Sequence, residues 1–122
     1  VTVVLIASCA SDETRQQTPL RPEEAFAKAE KLIDNFEYEE ARRILGEVKN
    51  NDSTGRYAAI ARLKIAESYA EEENYESAVA EYRRFIDSYP DSQYAPYAQY
   101  QIAMLYFSRI RGPERGAGEA KL

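Results

Sequence analysis

The chain repeats itself with a spacing of 37 residues, and this repeat restricts the possible folds more than any other feature of the sequence. Small residues recur at this spacing, because Ala29, Ala66 and Ala103 align. Bulky residues lie three positions before and three positions after each alanine: Phe26, Leu63 and Tyr100 before it, and Leu32, Tyr69 and Tyr106 after it. A fixed period of about 20 to 50 residues is typical of solenoids and other repeat arrays. We assign Ala66, Tyr69, Ala103 and Tyr106 to packing, and we expect the short side chains of Ala29 and Ala41 to let their two helices nest.

Turn-forming residues divide each repeat into two predicted helices. The breaks fall at residues 35–36, 50–55, 73–74 and 90–92, which are rich in Asn, Asp, Ser, Gly and Pro. The helices are predicted at residues 22–34, 37–50, 56–72, 75–89 and 93–109, with Pro22 and Pro96 in first turns, where proline is tolerated. Hydrophobic residues make up 44% of the chain, which is enough for a folded core. The predicted fold class is therefore all-α.

The second unit resembles a tetratricopeptide repeat almost completely. That family has a small residue, an aromatic residue three positions later, an alanine in the second helix, a large apolar residue and a closing proline. The corresponding residues are Ala66, Tyr69, Ala78, Tyr82 and Pro90. Arg62 occupies the position of the family's tryptophan, and Ser53 replaces the closing proline of the first unit. The resemblance implies a solenoid of helical hairpins, with about two and a half repeats in residues 22–122.

The third unit has a first helix only. A loop begins at Gly112, a second helix is predicted to begin at Glu119, and the sequence stops at Leu122. Since each repeat buries its apolar face against the next, we expect the chain to be part of a longer protein.

The first nine residues resemble the end of a bacterial lipoprotein signal. Residues 1–8 are mostly apolar, and Ile6-Ala7-Ser8-Cys9 resembles a lipobox, in which the cysteine thiol receives diacylglycerol. No Lys or Arg precedes the apolar run, so an ordinary cleavage signal, an arbitrary sequence boundary and a first strand remain alternatives. Residues 9–21 are predicted to be the lipidated cysteine and a flexible tether. No stretch approaches the roughly 18 apolar residues of a spanning helix.

The composition argues against most kinds of catalytic site and metal site. The sequence has no histidine and Cys9 is its single cysteine, which removes most nucleophile–base pairs and metal-ligand sets. A net charge of −5 disfavours nucleic-acid binding. A hydrolase based on carboxylates remains an alternative, but the 21 Asp and Glu side chains show no unusual pairing. We therefore expect no enzyme activity, cofactor, metal ion or small-molecule substrate, and we interpret the acidic run of residues 71–73 as a solvated helix end rather than a site for a basic peptide or a cation.

The lipobox, the tether and the repeats together resemble the N-terminal half of the BamD family of outer-membrane protein assembly lipoproteins. The segment from Ile86 to Tyr94 and the Tyr-rich helix after it carry this resemblance. It implies a lipid-anchored scaffold on the periplasmic face of the bacterial outer membrane. The implied partners are subunits of the assembly machinery and unfolded outer-membrane protein peptides. Another tetratricopeptide lipoprotein, serving cell-envelope or secretion complexes, is the alternative.

In tetratricopeptide proteins the first helices of successive units line a concave groove. Carried over through the aligned alanines, this register predicts a peptide-binding surface that is mostly apolar and aromatic. Its predicted residues are Phe26, Glu30, Ile33, Ile60, Leu63, Glu67, Tyr97, Tyr100, Met104 and Phe107. Packing within the solenoid is the competing interpretation of this stripe.

Overall fold

The computed structural model describes residues 18–110. Five helices occur in this part of the chain: α1 (Pro22–Asp34), α2 (Tyr38–Asn51), α3 (Arg56–Glu71), α4 (Tyr75–Ser88) and α5 (Ala95–Ile110). Each helix packs against the one before it, and α1 also contacts α3. The described residues contain no strand. The predicted all-α fold of tetratricopeptide-type hairpins is thereby confirmed. The predicted signal remnant, the lipidated Cys9 and the loop after Gly112 lie outside the described residues.

Four of the predicted helix starts agree with the structure to within one residue, and α5 begins two residues later than predicted. Ser92, Gln93 and Tyr94 form a turn instead, in which the Ala95 amide donates to the Ser92 carbonyl at 2.9 Å. Pro96 still lies in the first turn of α5, where its missing amide hydrogen costs no helical hydrogen bond.

The two hairpin turns are built in the same way, 37 residues apart. Phe36 and Glu73 both adopt left-handed backbone conformations, with φ of 64° and 61°. The next amide then donates back into the preceding helix, from Glu37 to Leu32 at 2.8 Å and from Asn74 to Tyr69 at 2.9 Å. Such turns satisfy carbonyls at a helix end, and they normally place glycine or asparagine at the left-handed position. The sequence repeat is therefore also a repeat of backbone geometry.

Small residues bring the helices of each hairpin together. Ala29 and Ala41 are fully buried in one cluster with Leu45, and Ala66 and Ala78 are fully buried in another. Because alanine lets two helices approach closely, the larger side chains around it can fill the remaining space. The nesting predicted from the repeat is confirmed for the first two units.

The packing assignment is wrong for the third unit. Ala103 is exposed, and Tyr106 keeps 42% of its surface exposed while its hydroxyl accepts a hydrogen bond from Arg83 at 2.9 Å. Ala29 and Ala66 are covered by the second helix of their own hairpin. The described part of the chain holds only the first helix of the third hairpin, so the same register position remains open there.

Asp52 shapes the connection between the two hairpins. Its carboxylate accepts hydrogen bonds from the amides of Tyr57 and Ala58 at 2.6 and 2.9 Å, and from the amide and hydroxyl of Thr54. These donors hold the pKa of Asp52 at about 2, below its ordinary value of 3.8, with the Thr54 hydroxyl as the largest contributor. The carboxylate thus caps the start of α3 from outside the helix.

Candidate binding groove

The first helices α1, α3 and α5 line a cavity of about 640 Å³. The turn after α1 and single residues of α2 and α4 complete its wall. The lining residues are Glu30, Ile33, Asp34, Phe36, Tyr38, Lys64, Glu67, Ser68, Ala70, Glu71, Tyr82, Tyr97 and Gln101. The cavity therefore lies along the same helices from which the groove was predicted.

The lining is acidic. It includes four carboxylates, those of Glu30, Asp34, Glu67 and Glu71, and one ammonium group, that of Lys64. Lys64 forms an ion pair with Glu30, with Nζ and Oε1 2.8 Å apart. Since the two side chains belong to α3 and α1, this pair also ties two successive hairpins together. The negative charge at the cavity favours cationic over anionic groups in any ligand.

Glu67 lies in the cavity lining together with two tyrosines, Tyr82 and Tyr97. The Tyr97 hydroxyl donates to the Glu67 carboxylate at 3.1 Å, which joins α5 to α3. Tyr82, which is almost completely buried, lines the cavity from α4. Burial raises the pKa of Glu67 above its ordinary value, although the bond from Tyr97 acts in the opposite direction. Burial also raises the pKa of Tyr97. Glu67 is thus a partly desolvated carboxylate in the floor of the cavity.

Aromatic side chains form the rim where α1 ends. Phe36 is 79% exposed, and its ring meets the Tyr38 ring edge-on, with 6.2 Å between the centroids. The Tyr38 hydroxyl donates to the backbone carbonyl of Glu71 at 3.3 Å, so that Tyr38 bridges α2 and α3. A large exposed aromatic group on a strained turn is unusual for a side chain that serves packing alone.

The ten predicted groove residues divide among four locations. Glu30, Ile33, Glu67 and Tyr97 line the cavity. Phe26 is half-buried against the Tyr57 ring, and Ile60 is also half-buried.

Leu63 is not available at the surface. It is only 6% exposed, and it packs in the core cluster that joins α3, α4 and α5. Its position in the repeat is that of a groove residue, but it is covered within the cluster that α4 and α5 complete. Packing, the competing interpretation of the stripe, describes this residue.

Tyr100, Met104 and Phe107 lie on α5 outside the cavity lining. All three are exposed, and Tyr100 exposes 60% of its surface. Their spacing of three and four residues places them on one face of the helix. They extend an aromatic surface along α5 beyond Tyr97.

Sequence reasoning missed several lining residues, among them Asp34, Phe36, Tyr38, Tyr82 and Gln101. Gln101 could have been found, because it lies four residues after the predicted Tyr97 and so on the same face of the helix. Tyr82 was identified only as a position of the repeat pattern, and it serves both as a core residue and as cavity wall.

The described residues contain no group of three or more Asp, Glu, Cys or His side chains arranged to hold a metal ion. Within residues 18–110, none of the helices combines the length and apolar character needed to cross a membrane. The cavity brings together hydrogen-bonding tyrosines, carboxylates and an exposed aromatic ring.

Comparison with known proteins supplies one family. The family model named YfiO and described as outer membrane lipoprotein matches residues 19–121. No curated protein matches the chain at a significant level.

Proposed function

Since this chain belongs to the YfiO family of outer membrane lipoproteins, of the BamD and YfiO type, we propose that it is a lipid-anchored scaffold facing the periplasm. In this role it binds proteins or peptides during the assembly and insertion of outer-membrane proteins. The observation that carries the proposal is the family match across residues 19–121, which includes every described helix. The family is not an enzyme family, and binding alone is sufficient for the proposed role.

The proposed binding surface is the cavity together with the exposed face of α5. Glu30, Ile33, Glu67 and Tyr97 supply its closed part, and Tyr100 and Met104 continue it along α5. Aromatic and thioether side chains provide contact area that adapts to different partners. A polypeptide segment that crosses α1, α3 and α5 fits such an elongated surface better than a compact small molecule does.

The proposed anchor is Cys9. Acyl chains contribute about 0.8 kcal/mol per buried CH₂ group, and two or more of them hold a protein stably at a membrane. The dozen residues that follow Cys9 would keep the hairpins near the surface while leaving the groove accessible.

Site-specific photo-crosslinking tests the binding function. A photoreactive phenylalanine analogue replaces Tyr97 in the groove, and as a matched control it replaces Tyr89, which is half-buried against Phe85 at the end of α4. Crosslinks to subunits of the barrel-assembly machinery or to unfolded outer-membrane proteins from position 97, and not from position 89, are expected. Recovery of peptidoglycan-binding or secretion proteins alone would favour the alternative, a scaffold of another envelope complex.

Metabolic labelling with a palmitate analogue tests the anchor. We expect label in the wild-type protein and none in Cys9→Ser. Equal labelling of the two proteins would remove the proposed anchor while leaving the binding function intact.

A further inference from the structure

We propose that the cavity selects a cationic side chain, an arginine or a lysine of the bound polypeptide, and that Phe36 at the rim packs against an apolar residue next to it. This inference rests on the proposed function, because it specifies which polypeptide segments the same groove prefers. It follows from three features of the cavity: its charge, its tyrosine walls and its strained rim.

Among the described residues that line the cavity, four carboxylates face a single cationic side chain. Lys64 is already engaged with Glu30. Among the described residues, no ion pair involves Asp34, Glu67 or Glu71. A cationic group of a ligand would therefore meet carboxylates that form no ion pair within the described part of the chain, whereas an anionic group would be repelled.

Glu67 gains most from such a ligand. Burial disfavours its charged form, and the hydrogen bond from Tyr97 offsets this only in part. A guanidinium or ammonium group in the cavity would compensate the desolvated carboxylate directly. Tyr97, whose hydroxyl is bonded to Glu67, is 38% exposed, and tyrosine rings attract cations.

The same molecule already holds one arginine in this manner. On the neighbouring interface the Arg42 guanidinium lies 4.0 Å from the centre of the Tyr69 ring and 2.8 Å from the Glu72 carboxylate. There the cation, the tyrosine and the carboxylate all come from this chain. In the cavity the chain supplies tyrosines and carboxylates in excess of its single Lys64, and the ligand would supply the missing cation.

Phe36 provides the second contact. A left-handed backbone disfavours a bulky residue, yet Phe36 holds its ring exposed at the mouth of the cavity. An apolar ligand residue packed on that ring would bury surface that is otherwise left in water. A cationic residue beside an apolar one is therefore the preferred sequence of the ligand.

Fluorescence anisotropy with two labelled heptapeptides tests the inference on the full chain. Both peptides alternate Phe with small polar residues, and they differ only at the centre, which is arginine in one and glutamine in the other. We expect the arginine peptide to bind roughly tenfold more tightly, as is typical of a charge-assisted contact.

Three variants locate the effect. Glu67→Gln keeps an oxygen that accepts from Tyr97 and removes the charge, so it should weaken the arginine peptide roughly tenfold and leave the glutamine peptide unchanged. Lys64→Gln removes the cation of the cavity and should strengthen binding of the arginine peptide, an effect that partial unfolding cannot produce. Glu76→Gln makes the same charge change on an exposed residue of α4 outside the cavity lining, and should alter neither affinity.

The outcomes separate the two proposals. Equal affinity for both peptides, or an unchanged affinity in Glu67→Gln, would overturn the cation selection while the groove remained a polypeptide site. If neither peptide bound, and position 97 gave no crosslinks either, the proposed function would fail together with the inference.

Discussion

At the scale of single residues, the two hairpin turns carry backbone strain that glycine would relieve. Glu73 is exposed and has a left-handed backbone, a conformation that costs an L-residue about 1 to 2 kcal/mol. Glycine avoids this cost, but it loses more conformational entropy on folding, which offsets part of the gain. We therefore expect Glu73→Gly to raise the free energy of unfolding by about 0.5 to 1 kcal/mol. Urea denaturation monitored by circular dichroism measures this change.

Phe36 is the matched position in the first hairpin. Phe36→Gly relieves the same strain but loses the ring contact with Tyr38, so its gain in stability should be smaller than that of Glu73→Gly. If the ring serves binding, the arginine peptide should bind about fivefold more weakly to Phe36→Gly, a loss of the size expected for one aromatic contact. Unchanged affinity would leave the strain at Phe36 without a functional reason.

Asp52 makes the stability of the fold depend on pH in the acidic range. Its pKa is about 2 in the folded protein and 3.8 in an ordinary environment, so folding favours the ionised carboxylate. The stabilisation it provides is fully present above about pH 4 and is lost as the pH falls towards 2. We expect Asp52→Asn to lower the melting temperature at pH 6, and the difference from wild type to shrink between pH 4 and pH 2. A difference independent of pH would mean that the carboxylate charge does not stabilise the cap.

At the scale of helices, the aligned alanines offer a matched pair of substitutions. Ala66 is fully buried between α3 and α4, whereas Ala103 occupies the same repeat position on α5 and is exposed. We expect Ala66→Leu to destabilise the fold by about 1 to 3 kcal/mol through overpacking, and Ala103→Leu to change stability by less than about 0.5 kcal/mol. Equilibrium urea unfolding of both variants gives the comparison. A similar loss at the two positions would mean that α5 is packed on its outer side in solution.

The helices could be predicted from the sequence because their signals are local. Prolines in first turns, turn residues after each helix and the 37-residue register all lie within a few residues of the boundaries they set. The cap by Asp52 is harder to predict, because Asp52 lies four residues before the first residue of α3. Its carboxylate reaches the helix only because the loop between them folds back.

The groove was predicted only in part, because exposure depends on what covers a residue and not on its register. Leu63 and Tyr100 occupy the same repeat position, yet the first is buried in a cluster with α4 and α5 and the second is exposed. Tyr38 and Tyr82 reach the cavity from second helices, which a rule based on first helices omits. Glu67 and Tyr97 were identified as single residues, but their hydrogen bond joins two repeats and required the structure.

At the scale of the whole molecule, stability follows position along the solenoid. Contacts run almost entirely between neighbouring helices, so each helix is stabilised by the elements beside it and not by a single central core. Helix α3 packs against α2 and α4 and also contacts α1, and α4 lies between α3 and α5. Local opening of α3 or α4 therefore breaks more contacts than local opening of α5.

Native-state hydrogen exchange measures this gradient. We expect amides in the middle of α3 and α4 to exchange at least roughly tenfold more slowly than those in the middle of α5, because α4 is the main packing partner of α5 among the described helices. Leu105 lies in the core and the neighbouring Met104 is exposed. Their amides therefore allow exchange on the buried and the exposed side of α5 to be compared within one helical turn. Added arginine peptide should slow exchange in α5 through contacts near Tyr97, while exchange in α2 changes little. Equal protection of α5 and α3 in the absence of peptide would contradict the nearest-neighbour description, because it would require α5 to be held by contacts beyond those with α4.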